Sequence, residues 1–231
     1  FTTLELTPDE VHNLGIQVVQ RIRSEMDSVI IAANFEGTFS DFLKFLRTNP
    51  QFYASTEKQL LKEASYLAKK IDGRMPEFFQ TLPRLSYGVI PVPKEIQENY
   101  TTGRYWGGSP ELNKAGNYVV NTYDLKQRPL YNLPALTAHE GVPGHHHQIA
   151  LSQEIKNIPS FRKDINVSAF VEGWGLYAEK LAGICFLHMY SLLDLDALPP
   201  LSCSHRTLAG ICFTMPCCAS LSHSFIRPPL V

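Results

Sequence analysis

The chain has 231 residues, and its 21 basic and 22 acidic side chains give a formal net charge of −1. This length is sufficient for a buried core, while the near-neutral balance gives no support to nucleic-acid binding. No apolar run is long enough to cross a bilayer, so the sequence predicts no membrane span. The first residue is Phe1, and the opening residues resemble the middle of a domain. The sequence therefore predicts no particular cellular compartment, and a secreted or periplasmic location is compatible with it.

The N-terminal third of the chain has the pattern of amphipathic helices. Thr7, Pro8 and Glu10 are typical of a helix start, since a threonine cap and a glutamate three positions later satisfy free backbone amides. Apolar residues then recur at near-helical spacing. Further helices are predicted over residues 39–46 and from about residue 56 to residue 71. We interpret all three as scaffold.

Between residues 86 and 124 the pattern becomes strand-like. The segments YGVIPVP, TGRYWGG and GNYVVNTYD are short, rich in tyrosine and valine, and separated by glycine and proline. Helical pattern resumes near residue 133 and continues to about residue 155, and a last helix is predicted over residues 167–182. The sequence therefore predicts a mainly α fold of the α+β class, with a small β subdomain before the helix that carries the polar residues of interest.

After residue 182 the composition changes abruptly. All five cysteines lie beyond residue 180, and no acidic residue occurs between residues 197 and 231. The hexapeptide LAGICF occurs twice, but it is too short to be a structural repeat. We therefore predict one domain over residues 1–182, followed by an atypical tail rich in Cys, Pro and Ser over residues 183–231 that is poorly ordered or loosely packed.

The segment LTAHEGVPGHHHQ, residues 136–148, begins like the zinc-binding helix of a metallopeptidase. In such a helix two histidines four positions apart share one ion, and a glutamate follows the first. Here Pro143 occupies the fourth position, and His145 would point about 120° away from His139 on a regular helix. His146 returns to the correct face, but about 10 Å farther along the axis. A regular helix therefore does not make the site.

Pro143 and Gly144 offer a way to bring the histidines together. Proline removes a helical hydrogen bond, and glycine tolerates the backbone that results. If two residues of GVPG bulge out, His145 takes the place of the second ligand, and helix bulges are frequent at functional sites. Glu140 keeps its usual position directly after His139.

A third metal ligand is expected from the segment FVEGWGLYAE, residues 170–179. Glu172 and Glu179 are seven positions apart and therefore lie on nearly the same helix face. The apolar neighbours of Glu172 predict that it is buried, where a carboxylate requires a cation or hydrogen bonds, so we expect Glu172 to be the ligand. Glu179, expected to be more solvated, would orient the ring of His139 or His145. A solvated histidine loop without metal remains an alternative from these residues alone.

The pair HEGVPGHHHQ and FVEGWGLYAE resembles the signature of the family known as domain of unknown function 885, HE-x-x-PGHH-x-Q followed by EGW-x-x-YAE. The segments TPDEVHNLG, FYAST, PVP and GNYVVNTYDLKQRP are also similar, so the resemblance extends over about residues 7–182. That family resembles a divergent branch of the mostly helical gluzincin peptidases. The resemblance implies a zinc metallopeptidase with one Zn²⁺ per chain, held by His139, His145 and Glu172, and with Glu140 as general base.

Two features depart from the family pattern. His147 stands where the family has an apolar residue, and we expect it on the helix surface. The family's later segment, with R-Y and P-G-Q-A-like motifs and a late tyrosine, has no counterpart after residue 182, and its long N-terminal helical region is not seen either. We therefore expect a middle piece of a larger enzyme and a poor or inactive catalyst, because related peptidases take their oxyanion donor from the later segment.

The peptidase interpretation gives each group a role. Zinc would acidify a bound water and polarise the scissile carbonyl, while Glu140 would take the proton of that water. Residues 117–124 would pair with an extended peptide substrate as a sheet edge does. Asn121 and Tyr123 are candidates for substrate contact, although core packing is the more common role of such residues. His146 is a further candidate beside the metal or the substrate.

Two other functions stay open at this point. A truncated zinc-binding pseudoenzyme or inactive fragment would hold the metal without turnover, although retention of Glu140 argues against it. A metal-free helical scaffold would leave a buried Glu172 without a partner, which is costly. The oligomeric state is unknown.

Overall fold

A computed structural model describes residues 4–159, 161–162 and 165–185, with side chains as far as residue 183. The described residues divide into two compact units, residues 4–50 and residues 51–185. The predicted domain boundary at residue 182 stays a prediction. The predicted loosely packed tail lies, except for its first three residues, outside the described residues.

The first unit contains two helices whose starts follow from their capping residues. Helix α1 spans Pro8–Ala32, and the side chains of Thr7 and Glu10 form a reciprocal capping box at its start. The predicted cap is therefore confirmed. Helix α2 spans Phe39–Thr48 and begins after Thr38 with the same kind of capping box. It extends two residues beyond the predicted end.

The second unit begins with helix α3, Glu57–Asp72, which Thr56 caps, and the short helix α4, Met75–Phe78. The buried residues of α3 recur three or four positions apart, as expected for one helix face packed on a core. They are Leu60, Ala64, Leu67, Ala68 and Ile71. Short 3-10 helices occur at Pro50–Phe52, Gln97–Asn99, Leu125–Gln127 and Leu130–Asn132.

A three-stranded sheet follows, which confirms the predicted small β subdomain. Its strands are β1, Tyr87–Pro91; β2, Gly103–Trp106; and β3, Gly116–Val120. The spatial order is β1-β3-β2, with β3 parallel to β1 and antiparallel to β2. Because β3 is paired on both sides, the prediction that residues 117–124 offer a free edge to a peptide is wrong. Within the described sheet β2 is an edge strand.

Three helices complete the described chain: α5, Leu133–Glu140; α6, His145–Glu154; and α7, Ser168–Cys185. Helix α5 packs against α3, α7 and β2, and α6 packs against α7 and β3. The core joins these elements through buried side chains such as Leu60, Ile71, Tyr118, Val120 and Ala138. The predicted mainly α fold with a small sheet is confirmed. None of the helices in the described part of the chain is long and apolar enough to span a bilayer.

Candidate metal centre

The chain leaves the helical conformation between α5 and α6, at residues 141–144. Gly141 has φ −91° and ψ −124°, and Gly144 has φ −77° and ψ −131°, both outside the helical region. A Cβ atom at Gly144 would overlap the carbonyl oxygen of His139, so only glycine allows this approach. The expected single helix with a two-residue bulge is therefore wrong. Two separate helices meet at a tight turn.

This turn places His145 directly beside His139. Their ring centroids are 4.6 Å apart and the ring planes are nearly perpendicular, at 89°. The amide of His146 donates to the carbonyl of Gly141 at 3.1 Å, which links the start of α6 to the end of α5 across the turn. The two histidines that a regular helix would separate thus lie side by side.

Glu172 of α7 completes a group of three potential metal ligands. One atom each of His139, His145 and Glu172 lies within 4.8 Å of the other two. The Nε2 atoms of His139 and His145 are 3.4 and 3.6 Å from Oε2 of Glu172. The three residues that sequence reasoning selected as ligands are therefore brought together by three different helices.

The spacing of these atoms suits a zinc ion. Zinc binds histidine nitrogen and carboxylate oxygen at about 2.0–2.2 Å in tetrahedral geometry, which puts neighbouring donor atoms about 3.3–3.6 Å apart. The two nitrogen–oxygen distances, 3.4 and 3.6 Å, are close to that value. Both exceed the 2.7–3.2 Å or so that is usual for an N–H···O hydrogen bond. The donor set also matches catalytic zinc sites with two histidines and one glutamate.

Glu179 orients the ring of His139. Its Oε1 atom is 2.7 Å from Nδ1 of His139, and this hydrogen bond is the main cause that raises the pKa of His139 above its usual range. When Nδ1 carries the proton, Nε2 presents its lone pair towards Glu172. A carboxylate on the free nitrogen of a metal-binding histidine is a common arrangement, since it fixes the ring and increases ligand basicity.

Burial favours the neutral form of His145. Its side chain is 10% exposed, and burial lowers the pKa of His145, with the neighbouring His139 acting in the same direction. A neutral imidazole is the form that binds a metal, so burial favours the competent state.

Glu140 directly follows His139 in the chain and is held by the sheet. It is 7% exposed, and its Oε2 accepts a hydrogen bond from the backbone amide of Tyr105 in β2 at 2.7 Å. Burial raises the pKa of Glu140, against the opposing effect of His139. A carboxylate that is shielded from water and near a metal group is a suitable proton acceptor.

The expected burial of Glu172 is wrong. Its side chain is 62% exposed, whereas that of Glu179 is only 32% exposed, the reverse of the predicted order. Phe170, an apolar neighbour on which the prediction depended, is itself 66% exposed. An exposed carboxylate needs no cation to compensate its burial, so the position of Glu172, and not its environment, supports a ligand role.

The other two histidines of the HHH run are directed into the core. His146 is 2% exposed, and its Nδ1 lies 3.0 Å from the hydroxyl of Tyr105. His147 is 3% exposed and lies 4.6 Å from the ring of Phe79, so the expected surface position is wrong. Burial lowers the pKa of each to about 4. Neither belongs to the ligand group.

Asn121 and Tyr123 have structural contacts. The Asn121 side chain is fully buried at 0% exposed, and its amide nitrogen donates to the carbonyls of three residues, Gln97, Tyr100 and Thr101. Its Oδ1 accepts from the amide of Tyr123. Asn121 therefore fixes the loop before β2, while Tyr123 is 39% exposed.

Three residues that contact the candidate site were not predicted from the sequence. Tyr105 holds Glu140 through its backbone amide, Trp174 donates through Nε1 to the carbonyl of Pro143 at 2.8 Å, and Gly175 packs against the His139 ring. A signal existed for Gly175, because a glycine inside a helix is unfavourable unless another group approaches closely. No local signal marks Tyr105, since a backbone amide looks the same in every residue.

The comparisons with known proteins give a family and similar solved structures, including one crystal structure. Residues 1–186 match the family described as "Bacterial protein of unknown function (DUF885)". No curated protein matches the chain. The fold is similar to a crystal structure described as the "putative lipoprotein from Colwellia psychrerythraea", with 32% sequence identity and a TM-score of 0.74. The similarity covers 81% of this chain but 32% of that chain, so this chain spans about a third of that protein's length. The family match covers most of the chain, which therefore belongs to the DUF885 family.

Proposed function

We propose that this chain carries the centre of a zinc-dependent metallopeptidase. The observation that carries the proposal is the meeting of two histidine Nε2 atoms and one carboxylate oxygen at distances of 3.4 and 3.6 Å. The order of the groups along the chain, His-Glu, then His, then a glutamate on a later helix, also resembles the gluzincin pattern and supports the same interpretation.

His139, His145 and Glu172 would hold the ion, and Glu179 would keep His139 in its binding orientation. Bound there, Zn²⁺ would supply a Lewis acid that polarises a carbonyl and lowers the pKa of water towards neutrality. Three protein ligands leave a coordination position open, as is typical of catalytic and not of structural zinc sites.

Glu140 is the proposed general base. Its Oε2 atom accepts a hydrogen bond from the Tyr105 amide, which restricts the orientation of the carboxylate. The raised pKa of Glu140, caused mainly by burial, makes it a better proton acceptor for the attacking water. The same group would then deliver that proton to the leaving nitrogen.

A peptide is the substrate class that the sheet supports best. In the described sheet β2 pairs only with β3, and an edge strand binds an extended peptide through backbone hydrogen bonds. The same strand contains Tyr105, which contacts Glu140. Because the Tyr105 amide already donates to Glu140, a peptide would pair with the remaining backbone groups of β2, beside the general base.

Peptide hydrolysis by zinc-loaded parent and Glu140→Gln chains tests this proposal. The substrate is a mixture of short peptides, cleavage is followed by mass spectrometry, and zinc content is measured for both chains. We expect slow cleavage by the parent and a further loss of about a hundredfold or more in the variant, since general base catalysis contributes about 10²–10⁴ in rate. Equal rates for two zinc-loaded chains would overturn the catalytic proposal.

Metal binding without turnover is the second candidate. It is favoured by the 62% exposure of Glu172, because an active site that admits bulk water loses much of its electrostatic stabilisation. The same assay with the longer Colwellia psychrerythraea protein separates the two candidates. Turnover by that protein alone would mean that the present chain binds zinc without catalysis, as the sequence led us to expect.

A further inference from the structure

Helix α7 contacts the candidate metal centre through other residues besides Glu172. Glu172 contributes the carboxylate, and Glu179 binds the back of His139. Trp174 lies between them in the sequence, on the opposite face of α7, and contacts the turn that joins α5 and α6. Its indole Nε1 donates a hydrogen bond of 2.8 Å to the carbonyl oxygen of Pro143.

The carbonyl of Pro143 lies two residues before His145, within the turn. Neighbouring carbonyls of the turn are used by α6 itself: Gly141 accepts from the His146 amide and Gly144 from the Gln148 amide. The Pro143 carbonyl accepts from α7 instead. A buried carbonyl at a helix start requires a donor, and Trp174 supplies it.

The indole ring is held by its neighbours. Its plane is nearly parallel to the His147 ring, at 11° with centroids 6.5 Å apart, and Tyr177 packs against it at 5.5 Å. These two rings restrict the rotation of the indole side chain. The hydrogen bond to Pro143 joins α7, which carries Glu172, to the turn that directly precedes His145.

We propose that Trp174 is a positioning residue of the metal centre. Its hydrogen bond ties the turn before His145 to the helix that carries Glu172, and so sets the distance between these two ligands. The inference depends on the proposed metal site. It assigns to the tryptophan a role in metal affinity and metal geometry, in addition to packing.

The test compares the parent chain with Trp174→Phe, which keeps an aromatic ring and removes the N–H donor. Zinc affinity is measured by chelator competition, and the visible spectrum of the Co²⁺-loaded chain reports coordination geometry. We expect about a tenfold weaker affinity or more, in the range for groups that orient metal ligands, together with a changed Co²⁺ spectrum. Tyr177→Phe, which keeps the indole and its donor, is the matched control and should leave both measurements unchanged.

A second measurement uses the folded parent and does not depend on the stability of the variant. The indole N–H of Trp174 is observed by NMR in ¹⁵N-tryptophan-labelled protein and assigned with Trp106→Phe, which leaves Trp174 as the one remaining tryptophan. The hydrogen bond predicts slow exchange with solvent and a resonance that shifts when zinc is added. Free-indole exchange, or no shift with zinc, would overturn the inference.

The outcomes separate the two levels of the proposal. A parent chain that binds no zinc overturns both the metal site and the role of Trp174. A parent that binds zinc, together with a Trp174→Phe chain of equal affinity and identical Co²⁺ spectrum, overturns only the positioning role. A variant with a lower unfolding temperature but unchanged affinity and spectrum likewise shows that the contact is packing alone.

Discussion

Replacing Gly175 with alanine directly perturbs the ring of His139. An added Cβ atom would lie 2.5 Å from Cε1 and 2.7 Å from Nε2 of that ring. Ordinary carbon contacts are about 3.5–4.0 Å long, so the ring would have to move by about 1 Å. Zinc–ligand distances tolerate only about 0.2 Å of error. The substitution therefore moves Nε2 out of reach of an ion held by His145 and Glu172.

The expected result is at least a tenfold loss of zinc affinity, about 1.4 kcal/mol or more in binding free energy. Gly173→Ala is the matched control in the same helix, because no atom lies within 4 Å of the Cβ that it would add. Both substitutions should gain up to about 1 kcal/mol of helix propensity. In the Gly175 variant alone, a steric overlap with the His139 ring opposes this gain in stability.

The assay is zinc titration against a competing chelator, with circular dichroism and thermal unfolding on the same samples. Gly173→Ala should bind zinc like the parent and unfold at the same temperature or higher. A Gly175→Ala chain that is folded and binds zinc as tightly as Gly173→Ala would contradict this prediction. Its result would mean that His139 is not a ligand or does not pack against α7 in this way.

The remaining predictions concern single ligands and their support. Glu172→Gln should weaken zinc binding at least about tenfold, because an anionic ligand is lost; equal metal content in the folded variant would exclude Glu172. His145→Ala should lose the metal, whereas His146→Ala should keep most of it and lose stability, since His146 is 2% exposed; the reverse pattern by metal analysis would exclude our assignment. Glu179→Gln should lower zinc affinity by about 10–100-fold with the fold intact, and an unchanged value would show that its contact with His139 does not matter for the metal.

The helices and the small sheet followed from local patterns, because caps and apolar spacing act over a few residues. The capping box at Thr7 and the buried face of α3 are examples. The order of the strands did not follow from local pattern. The run YVV at residues 118–120 is apolar on both faces, as is typical of a central strand, and this signal argues against the peptide-binding edge that we predicted over residues 117–124.

The sequence was sufficient to select the residues that meet at the candidate site, but not to predict their geometry. Two glycines and a proline between His139 and His145 permit either a bulge or a complete break, and sequence reasoning preferred the bulge. The break depends on long-range contacts, such as the hydrogen bond from Trp174 to Pro143. The exposure of Glu172 depends on what packs against α7, which its neighbours along the chain do not determine.

The most direct test of the central claim is zinc X-ray absorption of the chain loaded with one equivalent of Zn²⁺. We expect only nitrogen and oxygen neighbours at about 2.0–2.2 Å, with the multiple-scattering signal of two imidazoles. The chain also contains five cysteines, so sulfur is a real competitor for the ion. Sulfur neighbours at about 2.3 Å, or a spectrum without imidazole scattering, would contradict a centre built from His139, His145 and Glu172.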